Sequence, residues 1–153
     1  MPELHIIAHN IRSTENVGSI FRTCDSLGVA KLWLTGYTPT PEHPKVKKTA
    51  LGAQDSVSFE QVVNVEGLIS KLKAEQFKIV GLELDERAQA LDGYDPKSSN
   101  VALLLGNEVE GISPYLIEQC DDLVFIEQKG VKESLNVAVA TGIAAYSIML
   151  KLR

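Results

Sequence analysis

A handful of polar side chains in this sequence stand where they could do chemistry together: Asn16 and Arg22 in NIRSTENVGSIFRTCDSLGV, Glu108 in LGNEVEGIS, and Ser134 and Asn136 in IEQKGVKESLN. A guanidinium is a planar fork of donors that suits a phosphate oxyanion. Gly18 and Arg22 are four residues apart, one above the other on a helix face, with Ser19, Asp25 and Ser26 nearby. Glycine in the first turns of a helix costs up to about 1 kcal/mol against alanine, so the pair suggests something approaching the backbone beside the arginine. A solvated face with an Arg22–Asp25 contact accounts for the same residues. Asn16 reads as the cap of this helix. Glu108 follows a glycine that ends an apolar run, and Gly111 allows a tight turn before Ser113. Ser134 can cap the last helix, with Asn136 in its first turn near unpaired amides that attract acceptors or anions. Taken singly, Gly106 and Gly111 are also ordinary turn residues, Ser134 an ordinary cap and Glu108 an ordinary solvated carboxylate.

The elements that must hold these residues alternate. Residues 4–9 read as a strand, followed by a helix whose Val17, Ile20, Phe21, Cys24 and Leu27 fall at three-and-four spacing. Residues 30–36 form a second strand, TPTPEHP a proline-rich loop, KVKKTALGAQ a short helix ending at Gly52, and DSVSF a short strand. Residues 65–76 make a surface helix with Leu68, Ile69 and Leu72 on one side. Strands follow at 78–84 and 101–106, the second apolar at every step, as in a parallel strand covered on both faces. SPYLIEQC is a helix with Ser113 as cap and Pro114 at its first position. DLVFIEQ is the last strand and SLNVAVATGIAAYSIMLKLR a long final helix. The alternation predicts an α/β fold with a mostly parallel sheet flanked by helices. Ligands in such sheets gather at the carboxyl ends of strands, where the loops carrying Asn16, Glu108 and Ser134 lie.

Composition and missing motifs narrow the chemistry. The chain has 153 residues, 44% of them hydrophobic, which suits one domain over residues 1–153 with a full core. Its net charge of −5 argues against gripping nucleic acid by overall electrostatics, so any polyanion site must be local. Cys24 and Cys120 lie in apolar patterns without C-x-x-C spacing and read as core residues in a reducing compartment. The start MPELHIIAHN lacks the layout of a signal peptide, and no apolar run approaches the ~20 residues of a membrane span. These features place the protein in the cytoplasm. A P-loop, the G-x-G-x-x-G dinucleotide fingerprint and a G-x-S-x-G elbow are all missing. His5, His9 and His43 show no metal-ligand spacing, so no metal is expected.

The order N-x-G-x-x-x-R (Asn16, Gly18, Arg22), LLLGNEVEGIS and I-E-Q-K-G-x-x-x-SLNVAVATGIAAY resembles the three motifs of the SpoU, or TrmH-like, family of SPOUT RNA methyltransferases. KKTALGAQDSV is similar to the family's stretch between the first two motifs, and the resemblance spans nearly the whole chain. It implies a deep C-terminal trefoil knot, S-adenosylmethionine as methyl donor, a homodimer, and a ribose 2′-hydroxyl of RNA as acceptor, with tRNA favoured for a chain showing no separate RNA-binding domain. It further implies that Leu82, Glu83, Gly106, Ile126, Gln128, Ser134, Leu135 and Asn136 hold the cofactor. Arg22, Asn16, Glu108, Ser134 and Asn136 would form the catalytic set. On that resemblance Arg22 would orient the phosphate, Asn16 would hold the ribose or Arg22, Glu108 would fix the loop of the second motif or an active-site arginine, and Ser134 and Asn136 would position cofactor and acceptor. On this reading Gly18 leaves room beside Arg22 for the RNA backbone.

RNA capture would fall to Arg12, Arg22 and the Lys45, Lys47, Lys48 cluster, for which a solvated lysine face is the alternative. The family's frequent I-P-M of the third motif is Ile126-Glu127-Gln128 here, which bears on cofactor affinity. In the final helix Leu135, Val139, Ile143, Tyr146 and Leu150 line one side while Ala138, Thr141, Ala145 and Ile148 occupy others. A helix apolar nearly all round needs cover on more than one side, from its own domain or from a two-fold partner. Two functions fit: an RNA 2′-O-ribose methyltransferase, or a catalytically silent scaffold of the same fold that binds cofactor or RNA.

Overall fold

Seven short segments, most of them rich in Ile, Leu and Val, form β1 (Glu3–His9), β2 (Lys31–Thr35), β3 (Phe59–Val62), β4 (Lys78–Leu82), β5 (Gln89–Ala90), β6 (Asn100–Leu105) and β7 (Asp122–Phe125). Between them run α1 (Thr14–Leu27), α2 (Pro44–Ala50), α3 (Val65–Ala74), α4 (Pro114–Gln119) and α5 (Val137–Met149). The computed structural model describes residues 1–132 and 134–152. The strands make one sheet in the order β3-β2-β1-β6-β4-β7-β5, every neighbouring pair parallel. Ile6 pairs with Leu103 and Ile7 with Leu104 at its centre.

Both faces of the sheet are covered, and this is why β1 is buried from Leu4 to Ala8 and β6 from Val101 to Leu105. Leu4, Ile6, Leu32, Leu34, Leu103 and Leu105 pack on one side against Ile20 and Phe21 of α1, Val46 of α2 and Ala144, Ala145 and Ile148 of α5. Ile7, Trp33, Ile79, Ala102 and Leu104 pack on the other against Leu68, Ile69 and Leu72 of α3 and Leu116 and Ile117 of α4. Cys24 is buried and Cys120 half-buried, and burial pushes both thiols up to about 12. The histidines serve the scaffold. His5 Nδ1 accepts from the Trp33 indole at 3.1 Å, His9 bonds Thr35 at 2.9 Å and His43 caps α2.

Local chemistry moved several expected features. Ser13, not Asn16, caps α1: its hydroxyl accepts from the Asn16 amide at 3.1 Å, because the helix starts two residues earlier than Asn16 and frees the Asn16 side chain for other partners. Asn136, not Ser134, caps α5, its Oδ1 taking the amides of Ala138 and Val139. β3 begins at Phe59 rather than Asp55, since a 3-10 turn at Ala53–Asp55 consumes the amides of Asp55, Ser56 and Val57. β5 and the turn at Leu91–Gly93 are too short for any periodicity to show.

The expectation for Gly18 is corrected. Gly18 is buried, and a Cβ there would lie 1.8 Å from Thr49 Oγ1 and 2.8 Å from the Ala50 amide nitrogen. Its missing side chain lets α2 seat on α1 and leaves no room for RNA. Gly18→Ala gains up to about 1 kcal/mol of helix propensity but forces a methyl into backbone, so a net loss of about 2 kcal/mol is expected. Urea denaturation checks it: a midpoint equal to or above that of the wild type would contradict this packing role.

Candidate active site

The carboxyl ends of β4, β6 and β7 open onto a cleft of about 670 Å³, a size typical of small-molecule sites. Its walls come from the segments that follow these strands and from the start of α5. Leu82, Leu105, Phe125, Ile126, Leu135, Val137 and Ala140 make the apolar lining, and Asn16, Glu83, Asn107, Glu108, Gln128, Ser134 and Asn136 the polar one.

The segment after β6 is held from both sides. Asn107 pairs its amide and carbonyl with Gly111 at 3.1 and 2.9 Å, while its Oδ1 accepts from the amides of Val109 and Glu110 at 2.8 and 3.0 Å. Its Nδ2 donates to the Asn10 carbonyl at 2.9 Å and to the Tyr37 hydroxyl at 2.7 Å. All the hydrogen-bonding capacity of a buried amide is thereby used. Glu83, at the end of β4, accepts from the Ile112 amide at 2.6 Å. Gly111 is left-handed at φ 69°, and a Cβ there would stand 2.1 Å from the Glu83 carboxylate. Gly106 faces backbone: a Cβ would come within 2.3 Å of the Gly111 carbonyl carbon and 2.4 Å of the Ile112 nitrogen.

Glu108 ties this segment to α1. One carboxylate oxygen accepts from the Arg12 amide at 2.9 Å, and the other from the Ser13 amide at 2.9 Å and Asn16 Nδ2 at 3.0 Å. Asn16 Oδ1 in turn accepts from Asn136 Nδ2 at 3.0 Å. Side chains as much as 120 positions apart thus form one chain of hydrogen bonds along the cleft wall. Burial pulls the Glu108 pKa upward, but the bonds from Arg12, Ser13 and Asn16 outweigh it and leave the carboxyl below its ordinary value. The ion therefore stabilises the fold fully above the unfolded pKa of about 4.3 and loses that contribution as pH falls through the lower folded value. Glu108→Gln sets an amide donor against the donors of α1. A loss of about 1–3 kcal/mol is expected near neutral pH, together with a flatter acid limb in urea midpoints taken down to about pH 3. An unchanged acid limb would remove Glu108 from this role.

Of the residues picked from sequence, Leu82, Glu83, Gly106, Ile126, Gln128, Ser134, Leu135 and Asn136 all line the cleft, and so do Asn16 and Glu108. Arg22 does not; it is exposed on α1, as Arg12 is just before it. Lys45, Lys47 and Lys48 are exposed on α2, away from the cleft lining. Asn107 went unrecognised as the organiser of the site. Its signal was an amide directly after a buried strand and before a turn, the setting of an Asx turn. Among the described residues no cluster of three or more His, Cys, Asp or Glu could hold a metal ion, and no helix is long and apolar enough to cross a membrane.

Residues 3–146 match the model of the SpoU rRNA Methylase family. A 23S rRNA (guanosine-2′-O-)-methyltransferase RlmB of Acinetobacter baylyi is 36% identical over 137 residues, 89% of this chain and 55% of the relative. A tRNA (guanosine(18)-2′-O)-methyltransferase of Aquifex aeolicus is 33% identical over 145 residues, 94% of this chain and 67% of the relative. The AdoMet-bound rRNA methyltransferase from Sinorhizobium meliloti superimposes with a TM-score of 0.89 at 30% identity, covering 95% of this chain and 55% of that one. The chain thus spans about half the length of the Acinetobacter and Sinorhizobium proteins.

Proposed function

The chain belongs to the SpoU rRNA methylase family, and from that premise we propose that it transfers a methyl group from S-adenosylmethionine to a ribose 2′-hydroxyl of RNA, with tRNA the favoured class. The observation that carries this reading is the convergence of Asn16, Glu108, Ser134 and Asn136, from three separate motifs, on one cleft. The relatives reported above are named as 2′-O-methyltransferases of rRNA and tRNA.

The cleft fits the cofactor. Its volume suits a nucleoside with an amino-acid tail, Leu82, Ile126 and Leu135 offer apolar cover for an adenine, and Glu83 and Glu108 suit a cationic ligand. Glu83, Gly106, Gln128, Ser134 and Asn136 would complete the set that holds it. When bound, the cofactor supplies an electrophilic methyl on sulfur.

The chain's own residues do the positioning. Glu108 fixes Asn16, and Asn16 fixes Asn136, so two side-chain amides stand in set orientations where the ribose enters. Arg22 orients the neighbouring phosphate and offsets charge at the acceptor oxygen. Arg22 is outside its own cleft, and we assign it to the cleft of a second copy. Leu135, Val139, Ile143, Tyr146 and Leu150 are 37%, 52%, 43%, 57% and 69% exposed, so the domain itself leaves this stripe of α5 uncovered. Soluble proteins rarely expose such a surface without a partner. The stripe begins at Leu135 in the cleft wall and runs beside α1, where the Thr23 side chain lies 3.9 Å from a Cβ built on Gly142. Two-fold pairing there gives a homodimer and carries Arg22 toward the partner's cleft. Arg12, Lys45, Lys47 and Lys48 would supply the local positive charge for RNA.

We further assign the segments after β4, β6 and β7 to a trefoil knot, residues 1–153 to one domain, and the protein to the cytoplasm. The test is mass mapping of ribose methylation in total RNA incubated with the protein and S-adenosylmethionine. New 2′-O-methyl nucleotides are expected. Their absence, or methyl groups on bases alone, would overturn the function.

A further inference from the structure

We propose that Tyr37 is a stacking platform for a base of the substrate RNA, set beside the cleft and specific to the substrate rather than to the cofactor. The inference rests on the proposed RNA methyltransferase reading.

Tyr37 follows β2, Asn10 follows β1 and Asn107 follows β6, three neighbouring strands of the sheet. Their carboxyl ends form a ledge, and Asn107 belongs both to it and to the cleft. Tyr37 is 56% exposed, yet everything around it is fastened. Its amide donates to Asn10 Oδ1 at 3.1 Å, and its hydroxyl accepts from Asn107 Nδ2 at 2.7 Å. Thr38 is buried, its hydroxyl donating to the Ala8 carbonyl at 2.8 Å and accepting from the Ile11 amide at 2.9 Å. Gly36 is left-handed at φ 61°, and a Cβ there would meet Asn10 Oδ1 at 1.8 Å.

An aromatic side chain exposed by chance has no need of such anchoring. A ring held in one orientation with much of its surface open to solvent is what base stacking requires, because the ordering cost is met before binding and every base has a π-face. Among the described residues the hydroxyl has no second partner, so its proton remains available to an RNA acceptor. The segment leads directly into α2, whose Lys45, Lys47 and Lys48 are exposed, placing an aromatic and a cationic surface on one strand-to-helix connection.

The test compares Tyr37→Phe, Tyr37→Leu and Tyr37→Ala with the wild type in methylation of total RNA. Filter binding of the same RNA without cofactor, and calorimetry with S-adenosylmethionine alone, run beside it. The leucine and alanine variants should raise the RNA KM and Kd at least about fivefold, with kcat and cofactor affinity kept within about twofold. Phenylalanine, which keeps the ring, should restore binding to within about twofold of wild type. The proposal is overturned if phenylalanine is as damaging as alanine, since the hydroxyl tether to Asn107 would then be the whole role. It is also overturned if alanine weakens cofactor binding in parallel, or if alanine leaves RNA KM and Kd unchanged. Weaker RNA binding by the alanine variant, in a protein that methylates nothing, would sink the function and keep the platform. Undiminished methylation and binding by that variant would do the reverse.

Discussion

Gly106→Ala should leave a protein that no longer binds S-adenosylmethionine measurably and is about 3 kcal/mol less stable. The cost is steric rather than conformational. A methyl at the end of β6 lands 2.3–2.6 Å from the carbonyl and amide atoms linking Gly111 to Ile112, and backbone cannot rotate away as a side chain can. Nor can that backbone retreat freely. Asn107 pairs with Gly111 in both directions, Glu83 holds the Ile112 amide, and Ser113 caps α4 immediately beyond. Relief therefore requires opening the Asn107–Gly111 bridge, which dissolves the wall of the cleft. Gly130→Ala supplies the contrast. Among the described residues nothing lies within 4 Å of a Cβ at Gly130, so that variant should match wild type within about 0.5 kcal/mol. Calorimetry with the cofactor and urea denaturation measure both. If Gly106→Ala bound cofactor within a few-fold of wild type, the close approach of these two backbone segments would not be what shapes the site.

Which residues meet at this cleft was largely legible before the fold was known, and the reason is physical. A fully apolar strand such as VALLLG can only sit inside a parallel sheet, so the polar residues just past it must emerge at the carboxyl edge. Glu108 was found that way, and the loops with Asn16 and Ser134 likewise. Periodicity could not reveal which glycines serve packing. Gly18 reads as an opening beside Arg22, and Gly106 as a turn residue or a place where the cofactor meets the backbone. Gly18 is filled by Thr49 and the Ala50 amide of another helix, and Gly106 by the backbone of Gly111 and Ile112 folded back onto it, contacts that no periodicity encodes. Capping was misassigned by a few residues at α1 and α5 because Ser13, Asn16, Ser134 and Asn136 are all competent caps. Only the start of each helix decides which one accepts the amides. Asn107 was passed over because it is one polar residue between a glycine and an acid, and its importance lies in bonds to Asn10 and Tyr37, 97 and 70 positions away. The α5 stripe was the reverse case. Its apolar residues were plain on more than one side of the helix, but which side the domain left uncovered could be answered only by exposure in the folded chain.

Arg22→Ala should lower kcat/KM for RNA methylation at least about 100-fold while leaving cofactor affinity unchanged, because the role proposed for Arg22 is on the RNA phosphate and not on the cofactor. Arg22→Lys keeps the charge but loses the bidentate fork, so an intermediate loss is expected. Asn16→Ala should be similarly inactive for another reason: it cuts the link between Glu108 and Asn136 within the cleft. The two defects separate by mixing. If Arg22 serves the partner's cleft, a mixed dimer of Arg22→Ala and Asn16→Ala chains contains one site with Asn16 from its own chain and Arg22 from the other. Statistical pairing then returns about one quarter of the wild-type rate. If Arg22 serves its own cleft, every site in the mixture carries a defect and no activity returns. Activity assays after co-refolding the two variants decide between these outcomes, and a silent mixture alongside active wild type would remove the crossed assignment of Arg22. On the two-fold pairing proposed above, the exposed apolar stripe on α5 would set the geometry of this result. It starts at Leu135 in the cleft wall and is exposed through Leu150, so the proposed pairing of two copies across it would also bring a guanidinium to a site its own chain leaves without one.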